Sequence, residues 1–101
     1  MIFEINKVYT IKLNSGEELI AKVVAAPLNA GYIEIDNPVS VAPGPQGMGL
    51  VPSMFTADPG QTVTINTNSV SMFVGTDESV EAKYIEATTG IKMPDKKIIM
   101  G

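Results

Sequence analysis

A chain of 101 residues with 45% apolar and 18% charged side chains is one domain with a modest core, not a solvated tail. It contains no cysteine and no histidine, which excludes disulfides, Cys/His zinc sites, thiol nucleophiles and histidine general bases together. The net charge is −4 and all seven basic residues are lysines; without the arginine fork that reads phosphate and base edges, tight duplex binding is disfavoured.

The start, "MIFEINKVYT", sets Glu4 and Lys7 inside what would have to be an apolar run, so no signal peptide is expected. No stretch approaches the roughly 18 apolar residues of a membrane helix, and a cytoplasmic protein is expected. Residues 8–13, "VYTIKL", alternate with Tyr9, Ile11 and Leu13 on one face and Val8, Thr10 and Lys12 on the other. Period two predicts a strand. Asn14-Ser15-Gly16 supplies a turn, Gly16 being free to take positive φ. Residues 18–26, "ELIAKVVAA", predict a longer strand, apolar on both faces, bent where Ala21, Ala25 and Ala26 are small. Pro27 to Gly31 turn the chain again.

"YIEIDNPVSVA" predicts a third strand, with Ile33 and Ile35 inward, Glu34 and Asp36 outward, and an irregularity at Asn37-Pro38. Residues 42–49, "APGPQGMG", hold three glycines and two prolines, so a loop is expected there. "LVPSMFTA" resumes extended structure and Asp58-Pro59-Gly60 turns. "TVTINTNSVSMFVG" predicts two short strands around Asn66-Thr67-Asn68. Thr76, Asp77 and Glu78 are helix-start signals. Val80, Tyr84, Ala87 and Ile91 fall near helical spacing, and Gly90 suits the C-cap. One amphipathic helix is expected at about 77–89, with a loose tail at 92–101. Five strands, tight turns and a terminal helix predict a strongly bent antiparallel sheet or partial barrel.

The stretch "YTIKLNSGEELIAKVVAAPLNAGYIEI" resembles the first signature of the Sm-like (LSm) family: an alternating strand, a turn closed by glycine, then a long bent strand. Gly16 takes the turn glycine's place, and Leu13, Leu19 and Val23 the buried apolar ones. "VTINTNSVSMFV" resembles the second signature in rhythm. Ile65 takes the apolar place, Asn66 falls on the arginine and Thr67 on the glycine, and Val70, Met72 and Val74 alternate as a last strand. With "GLVPSMFTA" and "YIEATTGI", and a helix following the sheet, the mix is similar to Sm-like proteins of marine (cyanophage) phages, over roughly residues 5–91. The resemblance implies an all-β fold: a five-stranded, strongly bent antiparallel sheet (an open SH3-like barrel) with one C-terminal α-helix, forming a domain at 1–91.

The resemblance also implies a homo-oligomeric ring of five to seven copies, with a pore that binds single-stranded RNA. The family's pocket uses an Asp and an Asn between the second and third strands plus the arginine. Here "PLNAGY" puts Leu28 or Asn29 near the Asp and Gly31 or Tyr32 near the Asn, and Asn66 replaces the arginine, so the cationic part of the pocket is gone. Asn29, Tyr32, Asn66 and Asn68 are the candidate nucleic-acid residues, offering amides and one stacking ring. Val70, Met72, Phe73 and Val74 are the candidate subunit interface, because "SVSMFVG" is an uncharged apolar edge. The alternative is that Val70, Met72 and Val74 bury within one subunit and Phe73 packs under the helix.

Other motifs read as structural. Glu17 and Glu18 face opposite ways on a strand, so they cannot converge as an acid–base pair. Asp36-Asn37-Pro38 offers too few oxygens for a hard cation. "GPQGMG" lacks the lysine and spacing of a phosphate loop, and Lys96 and Lys97 belong to a solvated tail. No enzyme, metal or cofactor is expected. Two functions stand side by side: a ring binding RNA or other single-stranded nucleic acid, and a ring that is a protein-interaction scaffold. If phage-encoded, the protein acts in the host cytoplasm.

Overall fold

The computed structural model describes residues 2–58 and 60–89. The expected C-cap at Gly90, the helix-face position Ile91 and the tail 92–101 with Lys96 and Lys97 lie outside the described residues. Strands β1 (Lys7–Leu13) and β2 (Glu18–Ala25) form the first hairpin. Gly16 N–H donates to the Leu13 carbonyl at 2.9 Å and Leu13 N–H to the Glu17 carbonyl at 2.8 Å, with Gly16 at φ 97°. This is a tight turn closed by a left-handed residue, a conformation that costs an L side chain strain and glycine none.

The remaining elements are β3 (Tyr32–Gly44), β4 (Gly47–Pro52), β5 (Val63–Asn66), a 3₁₀ turn (Thr67–Ser69), β6 (Val70–Gly75) and helix α1 (Glu78–Thr89). The sheet runs in the order β4-β3-β2-β1-β6, with β5 paired to the other half of β3, and every pairing is antiparallel. The expected all-β open sheet with one C-terminal helix is present, with six strands in place of five.

Two bulges bend the β2–β3 pair. Between the pairs Ile20↔Val39 and Lys22↔Asp36, β3 carries an extra residue at the expected Asn37-Pro38 irregularity, with Asn37 at φ 49°. Between Val23↔Ile35 and Ala25↔Glu34 the extra residue is Val24 on β2. A bulge kinks its strand and increases the local twist. The bend divides β3: its first half pairs with β5 and its second with β4.

The expected loop at 42–49 is instead a hairpin, with Ala42↔Gly49, Pro43↔Met48 and Gly44↔Gly47 paired around Pro45-Gln46. Past Ser40 the only partner of β3 is β4, so the ribbon runs beyond the sheet as two edges. Proline is tolerated on an edge because its missing N–H faces solvent, not a ladder. Gly47 takes the left-handed φ of 104° that closes the turn.

Apolar side chains bury on both faces. One face holds Phe3, Tyr9, Ile11, Leu19, Val23, Ile33, Ile35 and Val70, with Phe73 packed against them. Phe73 stacks on Phe3 at 4.1 Å between ring centroids, and Tyr9 meets Phe3 edge-on at 5.0 Å. The other face buries Val8, Ile20 and Val39 beneath Tyr84 and Val80 of α1. Phe73 is therefore on the face away from the helix, and the alternative that packed it under α1 is corrected. The cause is an extra residue at Ser71: β6 pairs Lys12↔Met72 and Leu13↔Val70, so Val70 and Phe73 both turn inward and the alternation Val70, Met72, Val74 is broken.

Helix α1 starts one residue after the expected 77. Asp77 Oδ2 accepts from Ser79 N–H at 3.2 Å and Ser79 Oγ at 2.6 Å, which satisfies a donor of the first turn. These bonds hold the Asp77 carboxyl below its ordinary value. Tyr84 is buried and its hydroxyl donates to the Asp36 carbonyl at 3.0 Å, tying the helix to the β3 bulge. Burial pushes the Tyr84 phenol up to about 12. Ala87 is exposed, so the helix face that packs is narrower than the expected Val80/Tyr84/Ala87 stripe.

Candidate functional site

Two turns meet at one end of the sheet. The β2–β3 turn, Pro27 to Gly31, holds left-handed residues at Asn29 (φ 58°) and Gly31 (φ 81°). The 3₁₀ turn leaves β5 beside it, and Thr67 N–H donates to the Gly31 carbonyl at 3.0 Å. Tyr32 opens β3 and lies across from Asn66 at the end of β5. Residues distant in sequence are thus joined by strand pairing. Between the turns is a cavity of about 380 Å³ walled by Ile2, Leu28, Asn29, Tyr32, Ile33 and Thr67 among others. None of its walls is charged.

Asn29 and Tyr32, both exposed, line this cavity. Asn66 neighbours Tyr32 but is not one of the cavity walls; its Oδ1 accepts from Asn68 N–H at 2.9 Å and caps the 3₁₀ turn. Asn68 is exposed on the far side of that turn, and its carbonyl accepts from Asn14 Nδ2 at 2.7 Å. The structure therefore brings Asn29, Tyr32 and Asn66 to one end, while Asn68 faces the first hairpin.

Asn14 was not singled out in the sequence, yet it fastens these parts. Its N–H donates to the Ser69 carbonyl at 2.8 Å, and its Oδ1 accepts from Ser71 Oγ at 2.7 Å. An Asn before Ser-Gly reads as ordinary turn chemistry, so nothing local marks its contact with a turn more than fifty residues away. Leu28, 81% exposed, is one of the two residues that the resemblance sets near the family's Asp, and it lines the cavity. Its signal is an apolar side chain at a turn tip, where a polar one is usual.

The second candidate site is the pair of sheet edges. Met72 and Val74 point outward, 64% and 65% exposed, while Val70 and Phe73 are held in the subunit's own core. β6 pairs with β1 along one side, and β5 with β3 along one side. From Asn37 to Thr76 the single charged residue is Asp58. Both edges of the sheet are thus built from uncharged chain, lacking the lysines that normally keep an edge strand from pairing.

The acidic motifs are engaged locally. Asp36 Oδ1 accepts from Thr62 Oγ1 at 2.8 Å, and Glu17 accepts from Ser40 Oγ, which lies 3.0 Å from Ser53 Oγ. Among the described residues no three acidic, His or Cys side chains gather as metal ligands, and no helix is long and apolar enough to cross a membrane. The sequence matches no protein-family model and no curated protein.

Proposed function

We propose that this chain is the subunit of an Sm-like, homo-oligomeric ring of five to seven copies that binds single-stranded nucleic acid, RNA foremost, at its turn cluster. The observation that carries this reading is the pair of uncharged edges. β6, which bares Met72 and Val74, and β5, paired only to β3, lie on opposite sides of one sheet, and different edges meeting head to tail close into a ring when the rotation allows. The 3₁₀ turn joins these two strands, so each copy would present its turn cluster on the same rim.

On that rim Tyr32 supplies a stacking ring and Asn29 an amide, with Asn66 alongside and Asn68 turned to the first hairpin. Stacking tolerates any base and needs no phosphate contact. The uncharged cavity walls and the net charge of −4 predict modest affinity with a shallow salt slope. The same two observations favour a second reading, a ring that binds a protein partner and no nucleic acid.

The test is light scattering at dilute native conditions, then titration of labelled oligo-U and oligo-A at two salt concentrations. The expected result is a multi-chain mass and binding that weakens about tenfold or more in Tyr32→Ala, the loss of one stacked base. Single chains would refute the ring. A ring that ignores both oligonucleotides at low salt would leave the protein scaffold.

A further inference from the structure

The apolar stripe of α1 meets two different surroundings. Val80 and Tyr84 pack on Val8, Ile20 and Val39. Ala87 is exposed and, with Thr88, walls a half-open cavity of about 380 Å³ whose other walls include Val39, Leu50, Pro52 and Phe55. Phe55 is 81% exposed. Asp58 is the one carboxylate in the wall, and it accepts from Gly60 N–H at 3.0 Å. By spacing, the next apolar residue of the stripe is Ile91.

We propose that this cavity is the docking site of the chain's own segment 90–101, entered by Ile91 and Met93. The described helix ends at Thr89, one residue past the wall that Ala87 and Thr88 form. Extended chain advances at most about 3.6 Å per residue, so Ile91 and Met93 lie within about 7 and 14 Å of Thr89. A segment tethered this closely meets its site at an effective concentration on the order of millimolar, so a small contact suffices to hold it. Entering extended, residues two apart share a side: Ile91 and Met93 turn in and Lys92 stays in water.

Charge favours this occupant over a second copy's body. Residues 1–89 carry ten carboxylates and four lysines, whereas residues 90–101 carry three lysines and one carboxylate. The segment is thus attracted to the body that another copy of that body would repel, and the only charge it meets in the wall is Asp58. Docking also has a use. β4 closes one end of the sheet order and is uncharged, and Leu50 and Pro52 beside that edge are covered once the segment lies over them. An edge shielded by the chain's own loop is closed to pairing with other chains. The contact stands or falls independently of the ring.

The chain holds no cysteine, so a disulfide between two introduced cysteines reports this contact without background. Met54 walls the cavity and is 50% exposed, whereas Met48, 74% exposed on the β3–β4 ribbon, does not wall it. In the full chain at dilute concentration, Met54→Cys with Met93→Cys is expected to close a disulfide within one chain about tenfold faster, or more, than Met48→Cys with Met93→Cys. Only sulfurs held together keep the short Cα separation that a disulfide needs. Distance along the chain alone favours Met54, so Ile91→Ser decides: added to the Met54 pair, it is expected to slow closure to about the rate of the Met48 pair. Equal rates for the two pairs, or a Met54 rate indifferent to Ile91→Ser, overturn the docking. A disulfide that joins two chains, seen as doubled mass on a non-reducing gel, gives the cavity to a neighbouring copy's segment and overturns the contact within one chain.

Discussion

The first hairpin and the segment from β4 to β6 distribute charge in opposite ways. β1 and β2 are central strands, buried on both faces, yet their hairpin carries Lys7, Lys12, Glu17, Glu18 and Lys22. The edge strands β4, β5 and β6 carry no charge, and they expose Met48, Val51, Met72 and Val74. Edge strands are ordinarily the charged ones, since a lysine there prevents pairing with another chain. The inversion is explained when the edges are covered in the working assembly and the hairpin's lysines and glutamates remain in water. On the proposed ring, burial within the subunit and burial between subunits would fall to different stretches of the same chain.

The sharpest way to break this comparison is to cut one methyl-rich side chain from each region. Ile11 is fully buried between neighbouring strands, so Ile11→Ala is expected to cost about 2–5 kcal/mol of unfolding free energy, read by urea denaturation. A cost near zero would show that the hairpin is not the core. A smaller effect is expected at the joint between sheet and helix. Tyr84→Phe removes the hydroxyl bonded to the Asp36 carbonyl and is expected to cost about 1 kcal/mol.

The pH dependence of the same residue sharpens the point. Tyr84 has its phenol pushed up to about 12 by burial, against roughly 10 in an unfolded chain. The fold therefore favours the neutral phenol: the contribution is complete below the unfolded value and is lost as pH rises through the folded one. The wild type is expected to lose stability between about pH 10 and 12 by a fraction that Tyr84→Phe does not lose, followed by circular dichroism. The smallest effect belongs to the edge. Diluted below its assembly concentration, Met72→Lys is expected to shift the chain's own stability by less than about 0.5 kcal/mol while abolishing assembly at higher concentration. A large loss in the single chain would mean that Met72 serves the subunit's own core.

Local pattern alone determined much of this molecule. The alternation of Tyr9 and Ile11, the glycine turn at Gly16, the kink at Asn37-Pro38 and the helix start at Asp77 were all legible, because each depends on the period of a strand or on a residue's own φ preference. The ribbon at 42–49 was not legible. Glycine and proline there read as loop, and only the sheet's layout, which leaves β3 with β4 as its single partner past Ser40, makes an edge that accepts them. The inward turn of both Val70 and Phe73 was also hidden, since the extra residue at Ser71 is defined by the register against β1 and not by β6 itself. The candidate site divides the same way. Tyr32, Asn29 and Asn66 were singled out through the resemblance to the Sm-like signatures, but that Tyr32 lies across from Asn66 and that Asn14 clasps the 3₁₀ turn are consequences of long-range pairing. Side-chain type and period are properties of a few neighbouring residues, whereas register and neighbourhood exist only once distant strands have met.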